Sequence, residues 1–223
     1  MRLETYPDRE MMFILLANQI AGELENALFN HDQATLAVPG GTTPGPIFDT
    51  LCDARLDWSR IFVMLTDERW VPEESDRSNT KLLRQRLLTG RAADANYVPL
   101  FRDAPAPEEA LDEIEAGLAS ALPISILLLG MGADMHIASL FPGADRLSDA
   151  LAPNAPRVLP MRADGAGEPR ITLTAPVLSD AMSTHVVITG PEKREALEKA
   201  QSLPANEAPV SLVLPQATVH WAP

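Results

Sequence analysis

Apolar positions along the chain follow two rhythms, a spacing of three to four residues and short unbroken runs. Between residues 8 and 29, Ile14, Ala17, Ala21, Leu24 and Leu28 step by three and four, which places them on one helical face. This spacing predicts an amphipathic helix. The run "ATLAV" (34–38) then reads as a short buried strand and is cut off by the breaker cluster "PGGTTPG". Helical pattern resumes in "PIFDTL", with Thr43 placed to cap it and Pro44 at its first position.

The same order recurs downstream. "RIFVML" (60–65) reads as a strand, "TDERWVPEESDRSNT" (66–80) as polar loop and "KLLRQRLL" as helix. Leu111, Ile114 and Leu118 mark another helix, and "ISILLL" (124–129) another strand. "RITLT" (170–174), "THVVIT" (184–189) and "VSLVL" (210–214) are β-rich, with helical "APVLSDAM" and "GPEKREALEKA" between them. Segment 142–169, rich in Pro, Gly, Asp and Ala, is expected to be a long surface excursion. Apolar strands alternating with helices predict an α/β fold: a single domain over residues 1–223 with a Rossmann-like, mostly parallel twisted sheet and helices on both faces. Ligands of such sheets bind where loops leave the carboxyl ends of the strands. Loops 39–45, 66–79, 130–136 and 190–193 all leave predicted strand ends and are expected to share one site.

Composition narrows the partners. No run approaches the eighteen or so apolar residues of a membrane span, and the N-terminal stretch lacks a basic start and a small-residue cleavage site. The lone cysteine, Cys52, forms no internal disulfide and no multi-cysteine metal site, so the chain is expected to be cytoplasmic, with Cys52 filling core on a helix. Thirty-one acids against eighteen bases give a net charge of −13, which disfavours a nucleic-acid partner. A small anion is compatible with this balance where a few cations converge.

Each of the four loops offers particular chemistry. Gly40, Gly41 and Thr42 in "PGGTTPG" expose backbone N–H groups beside a helix N-terminus, an anion cradle that lacks the Gly-Lys-Ser/Thr ending of a P-loop. Asp67 and Arg69 stand just past a buried strand, where a guanidinium clamps a carboxylate or phosphate; Glu73, Glu74 and Asp76 read as solvated loop. "GMGADMH" starts like a dinucleotide fingerprint, but Met135 occupies the place of the third glycine. His136 has no HxxxH or HExxH partner and so reads poorly as a metal ligand. Placed at a strand mouth with Asp134 two residues earlier, it is instead a candidate general base, because imidazole exchanges a proton near neutral pH. His31, His185 and His220 read as surface or satisfied core residues. Lys193 and Arg194 lie in the first turn of a helix against its dipole, a placement offset either by Glu192 and Glu195 or by a bound anion.

Taken together, "GGTTP" (40–44), "DERWVPEESDRSN" (67–79), "GMGADMHIASLFPG" (130–143), "RIT" (170–172) and Gly190 with Lys193 closely resemble the 6-phosphogluconolactonase family, within the glucosamine/galactosamine-6-phosphate isomerase superfamily. That family carries a GGSTP-like turn, a DERxVP…SN loop, a GxGxDGHxASLFPG segment, an arginine before a late strand and a late G…K helix start, in this order. The resemblance implies hydrolysis of 6-phosphoglucono-δ-lactone to 6-phosphogluconate in the oxidative pentose phosphate pathway, with no metal or other cofactor. It implies His136 as general base, oriented by Asp134 or another carboxylate, and a phosphate clamp of Arg69 and Lys193 with Arg170 as third cation. Asp67 and Asn79 would position sugar hydroxyls or the Arg69 side chain, and Gly40, Gly41 and Thr42 would turn amides toward the substrate.

The glucosamine-6-phosphate deaminases, similar in fold, have a tyrosine after the DE pair and "FNEP" after the histidine helix, where this chain has Arg69 and "SLFPG". A sugar-phosphate deaminase or isomerase and an inert sugar-phosphate binding protein are the alternatives. Two departures from the family pattern stand out, Thr42 for serine and Met135 for glycine. A positive φ at Met135 would cost about 1 kcal/mol or more, and its side chain would narrow the pocket. The expected partner is a small-molecule substrate, with no nucleic acid and no membrane, and the chain is expected to be a monomer or small homo-oligomer.

Overall fold

Ala34–Val38 is buried at every position, as a central strand covered on both faces must be. In the computed structural model, which describes residues 1–223, the strands are β1 (Arg2–Thr5), β2 (Ala34–Val38), β3 (Ile61–Leu65), β4 (Asp67–Arg69), β5 (Asn96–Val98), β6 (Ile126–Gly130), β7 (Val158–Met161), β8 (Arg170–Leu173), β9 (Ser183–Thr189) and β10 (Thr218–Ala222). The helices are α1 (Arg9–Asn30), α2 (Gly45–Leu51), α3 (Asn79–Arg86), α4 (Leu111–Leu118), α5 (Leu147–Leu151), α6 (Ala175–Ser179) and α7 (Pro191–Ala200). Seven strands form one sheet in the order β1-β10-β9-β6-β2-β3-β5, and every pairing in it is parallel. From β2 the chain steps outward to β3 and β5, then returns to β6 on the other side of β2. The strand order therefore reverses between β2 and β6, which opens a crevice at their carboxyl ends. No helix is long and apolar enough to cross a membrane.

Several elements differ from the sequence expectation. Segment 142–169 is not a surface excursion throughout: it holds α5 and the fully buried β7. β7 pairs antiparallel with β8, and β8 with β4, in a separate three-stranded sheet. "RITLT" is thus a strand, but outside the main sheet, and "DER" within the expected polar loop is a strand too. "VSLVL" forms no strand; Pro209–Leu212 is a short 3-10 turn, and the final sheet strand comes later, at β10. Pro209 lacks the N–H a ladder needs, and Val213, Leu214 and Ala217 close turn bonds instead. The cap of α2 is Pro44 rather than Thr43, one residue later than expected. Cys52 ends that helix as a buried thiol.

Helix α1 opens on Asp8, whose carboxylate accepts the Met11 N–H at 2.8 Å. Its buried stripe runs Met12, Leu16, Ile20, Leu24 and Leu28, so Ile14, expected to face the core, is 43% exposed. The helix is apolar on more than one face, and spacing alone selected the wrong starting residue.

His185 and His220 are core residues with satisfied rings, and His31 is exposed, as expected. His185 bridges Glu23 (2.9 Å) and His220 (3.0 Å), and His220 reaches the Tyr6 hydroxyl at 2.8 Å. Burial, with His185 alongside, pushes His220 down to about 4. Unfolded, it titrates near 6.5, so the unfolded chain binds the extra proton first as pH falls. Its contribution is complete above pH 6.5 and is lost between about 6.5 and 4, amounting to about 3 kcal/mol. Urea unfolding of the wild type at pH 7.5 and 4.5 measures this loss, and His220→Gln should show a clearly smaller one; an equal loss in both would assign it elsewhere.

Candidate active site

Loops 39–45, 66–79, 130–136 and 190–193 follow β2, β3, β6 and β9 and meet, as expected, around one cavity of about 350 Å³. Gly40, Gly41 and Thr42 form one wall. Gly41 has φ +85°, and a Cβ on Gly40 would overlap the side chain of Asn79, so the turn needs both glycines. No protein acceptor takes the backbone N–H groups of Gly40, Gly41 or Thr42. Asn79 packs behind this turn and donates its side-chain N–H to the Asp67 carbonyl at 3.1 Å.

Three cations line the same cavity, and the small antiparallel sheet supplies two of them. Register between β4 and β8 sets Arg69 directly across from Arg170 and Asp67 across from Thr172. Arg69 donates from Nη1 to the Arg77 carbonyl at 2.6 Å, while its Nε is buried without a partner. Arg170 donates from Nη2 to the Ala166 carbonyl at 3.0 Å, and its Nε is likewise unpartnered. Burial pushes the Arg170 pKa below its ordinary value, with Asp67 opposing and Arg69 adding to the shift. Lys193 is half-buried, makes no ion pair, and is also pushed down by burial. Arg194 turns away to Glu198 at 2.9 Å and stacks on Trp221, leaving Lys193 alone to serve the cavity from α7. Asp67 is the one carboxylate lining the cavity, 3.8 Å from Arg170 Nη1, and it already accepts Ser139 Oγ at 2.6 Å. It lies against Arg170 rather than Arg69. Each unmade buried hydrogen bond costs about 1–3 kcal/mol, which an anion seated between the guanidinium groups offsets.

His136 lines the same cavity as these cations. Its Nδ1 lies 2.5 Å from Asp134 Oδ1, and its Nε2 has no protein partner. With Nδ1–H donated to the carboxylate, Nε2 carries the lone pair, the tautomer a general base needs. The hydrogen bond from His136 is the main cause holding the Asp134 carboxyl below the usual range. A Cβ on Gly132 would overlap both side chains, so that glycine makes room for the pair. The imidazole also rests against Phe141, with ring centroids 4.4 Å apart.

Met135 has φ +68°, so the strain expected at the replaced glycine is present. The expected narrowing is not: Met135 does not line the cavity but packs against the core. Its carbonyl accepts the Val210 N–H at 3.1 Å, so the segment misread as a strand buttresses the histidine loop.

Three functional neighbours escaped the sequence reading. Glu68, fully buried, accepts the N–H groups of Arg69 (2.8 Å), Asn79 (2.9 Å) and Thr80 (2.7 Å) and the hydroxyls of Thr80 (2.7 Å) and Ser78 (3.3 Å). It ties both ends of loop 70–78 together and accepts the first two N–H groups of α3, whose N-cap is Ser78. Burial pushes its pKa up, while the hydrogen bonds from Thr80, Asn79 and Arg69 pull it back. Ser139 orients Asp67, and Phe141 lies between His136 and the Arg170 guanidinium, 5.7 Å from its ring. Only long-range pairing reveals these roles; the "DER" triplet marked the place but not which acid turns inward.

The family described as glucosamine-6-phosphate isomerases/6-phosphogluconolactonase matches residues 7–221. A 6-phosphogluconolactonase of Rhizobium meliloti is 43% identical over 216 residues, covering 93% of each chain. One from Pseudomonas aeruginosa is 41% identical over 212 residues, 93% of this chain and 89% of that protein. The solved 6-phosphogluconolactonase of Shewanella baltica superposes with a TM-score of 0.96 at 29% identity, covering 100% of this chain and 97% of that one. With the shared fold and family match over nearly the whole length, the chain belongs to the glucosamine-6-phosphate isomerase/6-phosphogluconolactonase family.

Proposed function

We propose that the chain hydrolyses 6-phosphoglucono-δ-lactone to 6-phosphogluconate, as the names of its relatives state of those proteins. One observation carries the reading: an imidazole oriented by Asp134 lines a single cavity together with two guanidinium groups with unpartnered N–H bonds and an unpaired lysine. The first group suits activation of water and the second suits a phosphate monoester.

Arg69, Lys193 and Arg170 hold the phosphate and so fix the lactone ring against His136. His136 Nε2 takes a proton from water as the water oxygen bonds to the lactone carbonyl carbon. Asp134 stabilises the imidazolium that results. Negative charge gathers on the former carbonyl oxygen, toward which the free amides of Gly40, Gly41 and Thr42 are available. Collapse of the tetrahedral intermediate breaks the bond to the ring oxygen, and the imidazolium returns the proton to that alkoxide. Asp67 steadies Arg170, and Asn79 keeps the glycine turn and the start of β4 together. The reaction needs a base, oxyanion donors and a grip on the phosphate, and none of these calls for a metal or redox cofactor. A charged, water-soluble sugar-phosphate substrate supports the cytoplasmic location expected from the sequence.

Binding energy from the remote phosphate is used at the reacting carbonyl. The phosphorylated lactone should therefore exceed unphosphorylated glucono-δ-lactone in kcat/KM by roughly 100-fold or more, two charge-assisted contacts at about 1.5–3 kcal/mol each. Equal values for the two lactones would contradict the assigned clamp.

A further inference from the structure

Helix α1 carries a second apolar face that nothing in the chain covers. Met11, Ile14 and Leu15 are 47%, 43% and 48% exposed, and Phe29, two turns beyond the exposed Gly22, is 88% exposed. These residues fall within one stripe of the helix, together with Asn18, Ala21, Gly22 and Glu25, because their spacings are multiples of three and four. Asn18 and Glu25 are the two polar side chains of the stripe; both are exposed and neither makes a hydrogen bond or ion pair within the chain.

The stripe has a hole at one end and a knob at the other. Met11, Ile14 and Leu15 surround a notch of about 330 Å³, rimmed by Asp8 and Glu10, which is ample room for a phenylalanine ring. Phe29 is the knob. At 1.5 Å per residue the two features lie about 24 Å apart along the axis. Their midpoint falls between Ala21 and Gly22, and a Cβ added to Gly22 would meet nothing within 4 Å. A twofold axis through that midpoint brings each Phe29 over Ile14 in the notch of the other copy, while the two small residues let the helices approach closely. The same axis sets Asn18 opposite Glu25, so the amide of one copy donates to the carboxylate of the other, twice by symmetry. Apolar and polar positions thus match themselves in a single register.

We propose that this face of α1 is an interface with a second copy of the chain, formed by antiparallel packing of α1 on α1 about an axis between Ala21 and Gly22. Self-complementarity favours this occupant over a basic partner, since Glu25, the one acid within the stripe, finds its donor in Asn18 of the second copy, while Asp8 and Glu10 stay exposed at the rim of the notch. Covering the stripe in both copies removes on the order of 1,000 Å² of surface, the lower end for specific interfaces, so dimerisation should depend on concentration. The face lies apart from the cavity, and the inference is independent of the proposed reaction.

Sedimentation velocity on the full chain across roughly 1–200 µM tests it, since mass action sets the dimer fraction. The expected result is a shift from monomer toward dimer, with Phe29→Glu and Gly22→Glu each raising the dissociation constant at least about 30-fold. Both sites are exposed, and circular dichroism of the variants checks folding. Asn18→Asp should weaken the dimer and Asn18→Lys should not, because each faces the acid at position 25 of the other copy. Gly22→Cys should form a disulfide-linked dimer on oxidation, with the wild type, whose only cysteine is the buried Cys52, as control. A monomer at every concentration would overturn the proposal. So would a dimer that survives Phe29→Glu and Gly22→Glu and gives no Gly22→Cys cross-link, or one weakened equally by Asn18→Asp and Asn18→Lys.

Discussion

Replacing His136 by alanine should lower kcat for 6-phosphoglucono-δ-lactone by about 10²- to 10⁴-fold, the usual worth of a general base, while KM stays within about threefold. The split follows from geometry. His136 Nε2 faces the cavity with no protein partner, and its other nitrogen is committed to Asp134. The phosphate cations come from β4, β8 and α7, which the substitution leaves alone. Asp134→Asn should act in the same direction but less, because an amide still fills the space beside Gly132 while the imidazolium loses its counter-charge. Steady-state kinetics of the three proteins, corrected for spontaneous ring opening, check both. A rise in KM with unchanged kcat in His136→Ala would move that residue from base to binding group.

Arg69→Ala and Lys193→Ala should show the opposite pattern, a fall in kcat/KM of roughly 10- to 100-fold each, dominated by KM. Neither side chain is committed to a carboxylate in the structure. Removing one cation subtracts a charge-assisted contact to the phosphate without exposing an unpaired buried acid. Binding of inorganic phosphate, followed by calorimetry, gives a readout free of catalysis and should weaken in parallel. Arg170→Ala is a less clean test, since Asp67 would lose its 3.8 Å neighbour. Unchanged constants in both Arg69→Ala and Lys193→Ala would remove them from the clamp.

How much of this was legible depended on whether a feature is local. β2 and β6 are continuous apolar runs, and both were visible because burial on two faces leaves no other composition. The four loops were readable as one site because parallel topology forces strand ends together, and Arg69, His136 and Lys193 were singled out by position. Asn79 and Arg170 came only from the family resemblance. β7 was hidden because "VLPM" carries a proline and sits in a polar stretch, and its pairing with β8 is set by tertiary contacts. Short edge strands β1 and β5 show little apolar pattern, being only partly buried. Glu68 is the clearest case: beside Asp67 and Arg69 it looks like one more loop charge, and its burial follows from five donors that come mostly from residues ten or more positions away. Met135 shows the reverse, a local strain foreseen correctly whose side chain turns away from the cavity.

The central claim is that this crevice opens a phosphorylated lactone. The most direct measurement is the rate of proton release from freshly generated 6-phosphoglucono-δ-lactone with wild-type protein, beside ammonia release from glucosamine 6-phosphate. The account predicts lactone hydrolysis far above the spontaneous background and no ammonia. Ammonia release, or lactone loss no faster than without protein, would contradict it.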